Sequence, residues 1–357
     1  MHVKLLHTKA TWFLTMFQKF LLILLTSSLT KISCFKSFLP FKNAHVTKTS
    51  LLAQETVKQS TQENIIFDKF IILLQQKQQE IINTLENLDK KCDAKFSRDE
   101  WGSLIQENEI IEAPTSSGGR TRVIQNGTII EKGAVSITCI KNGILTSERA
   151  KSIQEKSIEF NSNTFEIKEG DVYSAAALSL VLHSRSPMVP TFRSDVRLFL
   201  VQSKDNPEDV IAYFGGGADL TPYYLYEDDV INFHTMYYDL CKKYDMDYKS
   251  MKEYCDAYFY LPARDEHRGT GGIFFDNLLY TENSFEFVEG VMDTWMPSWI
   301  PIINERKSEE YTEEERYWQL LRRGRYLEFN LLYDRGVRFG LIGKNPRVEG
   351  RSISFKL

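Results

Sequence analysis

Asp219 lies within the run Tyr213-Phe-Gly-Gly-Gly-Ala-Asp-Leu-Thr-Pro-Tyr-Tyr224, four residues after the first of three consecutive glycines. An ionised carboxylate only accepts hydrogen bonds, and a stretch without Cβ atoms lets a backbone or a flat ligand approach closely. Together they suit recognition of N–H groups on a planar molecule. The same string also reads as a glycine-rich turn between two elements. It is not a phosphate loop, because neither GxGxxG nor GxxxxGK[ST] occurs.

Arginine is the second chemical signal. Residues 1–184 hold four (Arg98, Arg120, Arg122, Arg149), whereas residues 185–357 hold fourteen. A guanidinium is a rigid fork matched to carboxylates and stays charged when desolvated. Arg197 on a strand, Arg264 and Arg268 in a loop, and Arg322, Arg323 and Arg325 ahead of a further strand form a candidate lining for a polyanion pocket, or a set of surface ion pairs. Only three histidines lie in the body of the chain, His183, His234 and His267, on separate elements and without HxH or HxxxH spacing. No metal is expected, with His183 and His234 as minor candidates. No Gly-x-Ser-x-Gly elbow appears. The acids Glu227, Asp228 and Asp229 suit a helix N-terminus better than an acid–base pair.

These residues must be positioned by mixed elements. Ile66, Phe67, Phe70, Ile71, Leu74, Ile81, Ile82, Leu85 and Leu88 recur at helical spacing and predict a long amphipathic helix from Ile65 to Ala94. An irregular stretch begins at Ser97. Strands are expected at Arg120–Gln125, Thr128–Glu131 and Val135–Ile140, with Asn126-Gly127 and Asn142-Gly143 as turns. Leu178–Leu182, Val196–Gln202 and Gly271–Phe275 also read as strands. Helices are expected from Glu227 to Lys243 and from Glu286 to about Trp295, with Pro297 and Pro301 ending the latter or kinking its continuation. Thr312-Glu-Glu-Glu315 fits a capping box, and Tyr326–Tyr333 reads as a strand. Hairpins and helices mix without a βαβ rhythm. The fold class is therefore α+β, with a large, mainly antiparallel sheet flanked by helices.

The bulk properties narrow the function. A net charge of -4 and the absence of a basic stripe exclude a nucleic-acid binder. The five cysteines are scattered, without CxxC spacing, so neither a zinc ribbon nor an iron–sulfur site is supported. Residues 1–54 carry seven lysines and no Asp or Glu. Their apolar run, Phe20-Leu-Leu-Ile-Leu-Leu-Thr26, is shorter than the roughly 20 residues of a membrane span. Residues 1–34 read as a signal-like targeting segment and 35–60 as a transit-like leader, the bipartite arrangement that directs a protein to a plastid; a mitochondrial presequence is the alternative. A single catalytic domain is expected over 61–357.

With those residues placed, the chain resembles the oxygen-dependent coproporphyrinogen III oxidases from about Phe67 to Glu349. The resemblance rests on Gly118-Gly-Arg-Thr-Arg-Val-Ile-Gln, Phe214-Gly-Gly-Gly-Ala-Asp-Leu-Thr-Pro222, Glu266-His-Arg-Gly-Thr-Gly-Gly-Ile-Phe-Phe-Asp276 and Leu320-Leu-Arg-Arg-Gly-Arg-Tyr-Leu-Glu-Phe-Asn-Leu-Leu-Tyr-Asp-Arg-Gly336. It implies conversion of two propionates of a tetracarboxylate porphyrinogen to vinyl groups, with O2 as co-substrate, CO2 released and no organic cofactor. It also implies a homodimer built on a flat antiparallel sheet. It puts Asp219, Arg197 and Arg193 in the catalytic set, and Ser179, Arg193, Asp195, Arg197, Asp219 and Arg347 in the substrate-binding set. Asp219 would accept from pyrrole N–H groups and help deprotonate one.

Three departures accompany the resemblance. The family has Pro-Thr-x-His-x-Asn-x-Arg where this chain has Pro190-Thr-Phe-Arg-Ser-Asp-Val-Arg197. Arg193 thus replaces a histidine assigned as proton donor, and Asp195 replaces a substrate-binding asparagine. An arginine does not cycle a proton near neutral pH, so its expected role is to stabilise a carboxylate. The new cation and new anion, two apart, are expected to compensate each other. Ala263 stands where bacterial members carry another histidine. The sequence ends at Arg351-Ser-Ile-Ser-Phe-Lys-Leu357, where the family continues with a tail that contributes to the dimer, so a truncated C-terminus is expected.

Overall fold

The computed structural model describes residues 62–89, 94–104, 111–159 and 165–334. The leader segments, Arg347 and the C-terminal residues lie outside them. In chain order the elements are α1 (Gln62–Leu88), β1 (Ser97–Gly102), β2 (Gly118–Gln125), β3 (Ile130–Ile144), α2 (Ser147–Glu159), β4 (Val172–Ser184), β5 (Thr191–Gln202), β6 (Val210–Thr221), α3 (Glu227–Lys243), α4 (Tyr248–Tyr258), β7 (Tyr260–Leu261), β8 (Glu266–His267), β9 (Gly271–Leu279), α5 (Glu282–Arg306) and α6 (Glu313–Leu332).

Seven strands form one antiparallel sheet in the order β1-β2-β3-β4-β5-β6-β9, and β7 and β8 make a separate two-stranded hairpin. The α+β architecture expected from the sequence is thus present. Successive strands are neighbours up to β6; β9 joins the edge only after α3, α4 and the small hairpin. Because side chains alternate across a strand, each strand contributes one set to either face. One face is apolar: Val135, Ile137, Leu178, Leu180, Phe192, Val196, Leu198, Phe214, Leu220 and Ile273 are buried in a single core with α1, α3 and α5. Phe192 stacks on Trp299 of α5 at 5.9 Å and meets Phe233 of α3 at 6.2 Å. Among the described residues, apolar clusters cover the opposite face at two places. Tyr173, Val201 and Ile211 pack with Ala150 of α2 at one end, and Phe274 packs with Cys255 of α4 and Phe329 of α6 at the other.

Several local expectations are corrected. The three glycines do not make a turn; Gly215, Gly216 and Gly217 lie inside β6, all three paired with β5, with Gly216 and Gly217 also paired with β9 and Gly215 at a register shift on that side. Tyr326–Tyr333 is not a strand. It continues α6, whose capping box at Thr312 and Glu315 is formed and whose buried residues Gln319, Arg323, Tyr326, Phe329 and Asn330 repeat at helical spacing. The dense apolar residues hid that period. Ser97–Gly102 is a regular edge strand. Asn142, at φ 58°, is the site of a register shift within β3 rather than a turn that ends it. Finally, α5 runs on through Pro297 and Pro301 to Arg306. Each proline removes a backbone donor, and the burial of Trp295, Met296, Trp299, Ile302 and Ile303 on the core offsets that loss.

Candidate active site

The register of β4, β5 and β6 builds the site. Arg193, Asp195 and Arg197 occupy alternate positions of β5 and so share the face away from the core. Arg193 is directly opposite Asp219, Asp195 opposite Gly217 and Arg197 opposite Gly215 on β6, while Ser179 of β4 is opposite Asp195. The side chains form a ladder of opposite charges. Asp195 takes Arg193 at 2.7 Å on one oxygen and Arg197 at 2.7 Å on the other. Arg197 reaches on to Asp276 of β9 at 2.9 Å. Burial works against the charge of Arg193, but Asp195 and Asp219 outweigh it and hold its pKa above the ordinary arginine value. Gly215 admits this ladder, since a Cβ there would lie 2.6 Å from the Arg197 guanidinium carbon; Gly216, on the core side of β6, has no room for one either, because it would lie 2.6 Å from the Asp195 carbonyl oxygen.

Asp219 lies deeper, 2 % exposed. One oxygen receives Arg268 at 2.6 Å. The other faces the Arg193 guanidinium at 3.9 Å and, among the described residues, accepts no hydrogen bond. Arg268 is itself 2 % exposed, with its guanidinium carbon 3.9 Å from the ring centre of Phe259, 4.3 Å from Tyr326 and 4.9 Å from Phe329. Three aromatic faces thus carry this cation where water does not reach it. The sequence grouped Arg268 with other loop arginines. Its pairing with Asp219 was not legible, since it depends on a contact across 49 residues, and the ring cage draws on α6, a segment expected to be a strand.

Beside this sealed end the sheet lies open. Ser179 is exposed although β4 is the central strand of seven, and Ser136, Thr138, Ala175, Ala177, Arg193 and Arg197 around it are half-buried. Ser136 donates to Thr121 on the next strand at 3.2 Å. The result is a flat floor of small and hydroxyl side chains with cations along one margin. From β2 to β6 it crosses four strand spacings, about 19 Å at the usual ~4.8 Å per strand. A planar macrocycle with carboxylate arms is the shape and charge such a floor accommodates.

Comparison with known proteins agrees with this geometry. The profile described as coproporphyrinogen III oxidase matches residues 69–355. The chain belongs to the coproporphyrinogen III oxidase family. A Francisella philomiragia protein named oxygen-dependent coproporphyrinogen-III oxidase is 39 % identical over 279 residues, covering 77 % of this chain and 83 % of that protein. One of the same name from Coxiella burnetii is 40 % identical over 260 residues, covering 72 % and 79 %.

Within this member of the coproporphyrinogen III oxidase family, the structure gathers Asp219, Arg193, Asp195, Arg197 and Ser179 along one face, and Arg347 lies outside the described residues. The remaining candidates separate. His183 is buried, with Nδ1 3.0 Å from the Thr191 hydroxyl and its ring edge-on to Tyr326; burial first, then Arg323, pushes it down to about 3. His234, on α3, bonds instead to Tyr248 and the Thr270 carbonyl. Among the described residues no group of three or more His, Cys, Asp or Glu is arranged to hold a metal. Arg323 binds Glu131, Tyr223 and the Ser184 carbonyl, docking α6 onto the sheet. Arg322 and Arg325 pair with Glu266, and Arg264 with Glu328, as structural ion pairs. No helix among the described residues is long and apolar enough to cross a membrane.

Proposed function

We propose that the protein catalyses the oxygen-dependent oxidative decarboxylation of coproporphyrinogen III to protoporphyrinogen IX, in haem and chlorophyll formation. The observation that carries this reading is the Asp219 oxygen that is buried and accepts no hydrogen bond among the described residues, at the edge of the open floor. A pyrrole N–H is the donor that oxygen lacks. Unpaired buried acceptors are costly, so the interaction is favourable where the ligand supplies it. Arg193 and Arg197 face the floor and suit the propionate carboxylates. Each propionate carboxylate loses CO2, one proton and two electrons as it becomes a vinyl group; O2 takes up the two electrons with that proton and a second one from solvent, giving hydrogen peroxide. Removing a pyrrole proton to Asp219 enriches the ring that delivers the electrons, which is why neither an organic cofactor nor a resident metal enters the proposal.

Arg193 serves here as a fixed cation. Its pairing with Asp195 fits the compensation expected from the two departures. It also favours a second reading, a porphyrinogen-binding relative that does not turn over, because the proton-cycling histidine is replaced. Aerobic incubation of the purified protein with coproporphyrinogen III separates the two. Oxygen uptake with formation of protoporphyrinogen supports the first; tight binding without uptake overturns it. We further propose a homodimer and plastid import through residues 1–60. Sedimentation tests the former, and a fluorescent fusion of residues 1–60 the latter, a mitochondrial signal refuting it.

A further inference from the structure

His234 is half-buried on α3, and both of its ring nitrogens are engaged. Nδ1 lies 2.8 Å from the Tyr248 hydroxyl, and Nε2 lies 3.2 Å from the Thr270 carbonyl oxygen. The partners fix the tautomer. A carbonyl only accepts, so Nε2 carries the proton and donates it; Nδ1 then accepts from the Tyr248 hydroxyl. The ring therefore bridges three segments distant in sequence: α3, the first residue of α4, and the segment that leads into β9.

Thr270 is the connection to the site. Its N–H donates to the Leu220 carbonyl at 3.0 Å and its hydroxyl to the same oxygen at 3.2 Å. Leu220 directly follows Asp219. Two residues before Thr270 is Arg268, whose N–H is held by the Phe259 carbonyl at 3.1 Å and whose guanidinium reaches Asp219 at 2.6 Å. Thr270 thus joins the backbone next to the acid with the backbone next to its cation. His234 holds Thr270 from the outside.

We propose that His234 is a positioning residue for the Asp219 centre: by fixing the Thr270 carbonyl it holds residues 268–271 against β6 and so sets how Arg268 meets Asp219. With one nitrogen donating to Thr270 and the other accepting from Tyr248, the ring acts as a bridge between backbone segments rather than as a ligand. The inference rests on the reading of Asp219 as the group that engages the pyrrole.

The test compares full-length wild type, His234→Ala, His234→Gln and Tyr248→Phe. In air with coproporphyrinogen III, His234→Ala is expected to lose about tenfold to a hundredfold in kcat, as ångström-scale misplacement does. KM should change less than kcat, because Arg193 and Arg197 still face the propionates while the displaced Asp219 contact acts on the reacting ring. His234→Gln keeps an amide N–H for the Thr270 carbonyl and should recover most of the rate, and Tyr248→Phe should lose less than His234→Ala. Hydrogen exchange over residues 268–271 needs no turnover: it should quicken in His234→Ala and return towards wild type in His234→Gln. A folded His234→Ala protein with wild-type kcat and unchanged exchange overturns the proposal. So does a His234→Gln protein that melts like wild type but is as slow as His234→Ala and has lost a stoichiometric metal. Should His234→Ala not fold, exchange and rate in His234→Gln and Tyr248→Phe decide. Absence of turnover in wild type would refute the activity, while exchange would still report on the positioning.

Discussion

The two faces of strand β5 use one stretch of chain for opposite purposes. Phe192, Val196, Leu198 and Leu200 enter the core, whereas Arg193, Asp195 and Arg197, set between them, form the charge ladder. Burial on the first face is non-directional, so a residue of similar size and polarity serves nearly as well. On the second face burial strengthens each charge contact and penalises each missing one. A substitution on the apolar face should therefore act on stability, and one on the charged face on chemistry.

The largest expected effect breaks or upholds that division at Asp219. Asp219→Asn retains an oxygen for Arg268 but removes the base, and turnover should fall by about a thousandfold, within the 10²–10⁴ typical of a lost acid–base group. Melting should fall as well, but less than in Asp219→Ala, because Asn keeps a hydrogen-bond acceptor beside the buried Arg268 while removing its counter-charge. Asp219→Ala is the less clean test, since stripping a buried cation of its partner costs about 3–5 kcal/mol. Phe192→Ala is the counterpart on the other face: it should cost about 3–5 kcal/mol in denaturant unfolding, while the folded fraction keeps a near-normal kcat. An active Asp219→Asn enzyme, or a stable and inactive Phe192→Ala protein, would dissolve the contrast between the faces.

Gly215→Ala probes how closely the ladder is fitted. The added methyl would lie 2.6 Å from the Arg197 guanidinium carbon, so Arg197 must move away from Asp195 and Asp276. Misplacing a substrate-facing cation by about an ångström should reduce kcat/KM tenfold to a hundredfold, by roughly the scale of lost positioning. Gly324→Ala on α6 is the control, because nothing among the described residues lies within 4 Å of a Cβ there. Equal losses in both variants would show that the Gly215 effect is not local.

The same two faces explain what was legible in the sequence. The core face announced itself, since periodic apolar residues specify α1, α3 and the inner strands whatever they meet. The charged residues were recognisable as types, and Arg193 and Asp195 even as a pair, because a new cation and a new anion depart from the family pattern two residues apart, although the strand was expected to begin only at Val196. Their partners were not. Arg268 on Asp219 and Asp276 on Arg197 are contacts across 49 and 79 residues, decided by strand order, which no local pattern encodes. The glycines misled for a related reason: alone they favour a turn, and only the crowding from Arg197 and the neighbouring backbones accounts for them inside a strand flanked by β5 and β9. In α6 the buried Arg323, Tyr326 and Phe329 obey helical spacing, but the apolar residues on its outer side filled the gaps and imitated a strand.

The smallest effect at neutral pH concerns His183, a polar residue on the charged face that is buried in the manner of the core. Its pKa is pushed down to about 3, chiefly by burial, whereas an unfolded histidine titrates near 6.5. Between those values the unfolded chain binds a proton that the native state refuses, so stability must fall as pH drops from 6.5 towards 3. For an isolated group the loss between pH 7 and pH 5 is about 2 kcal/mol. Glu131, held low by Arg316 and Arg323 despite its burial, acts in the same direction, but only as pH falls through the lower carboxylate range. His234 is also held low and shares the upper window. Urea unfolding at pH 7, 6 and 5 should therefore show a slope that His183→Gln reduces and His183→Gln with His234→Gln nearly removes, at the cost of whatever Thr191 and Thr270 lose in hydrogen bonding at every pH. An unchanged slope would mean that His183 reaches water in the native state.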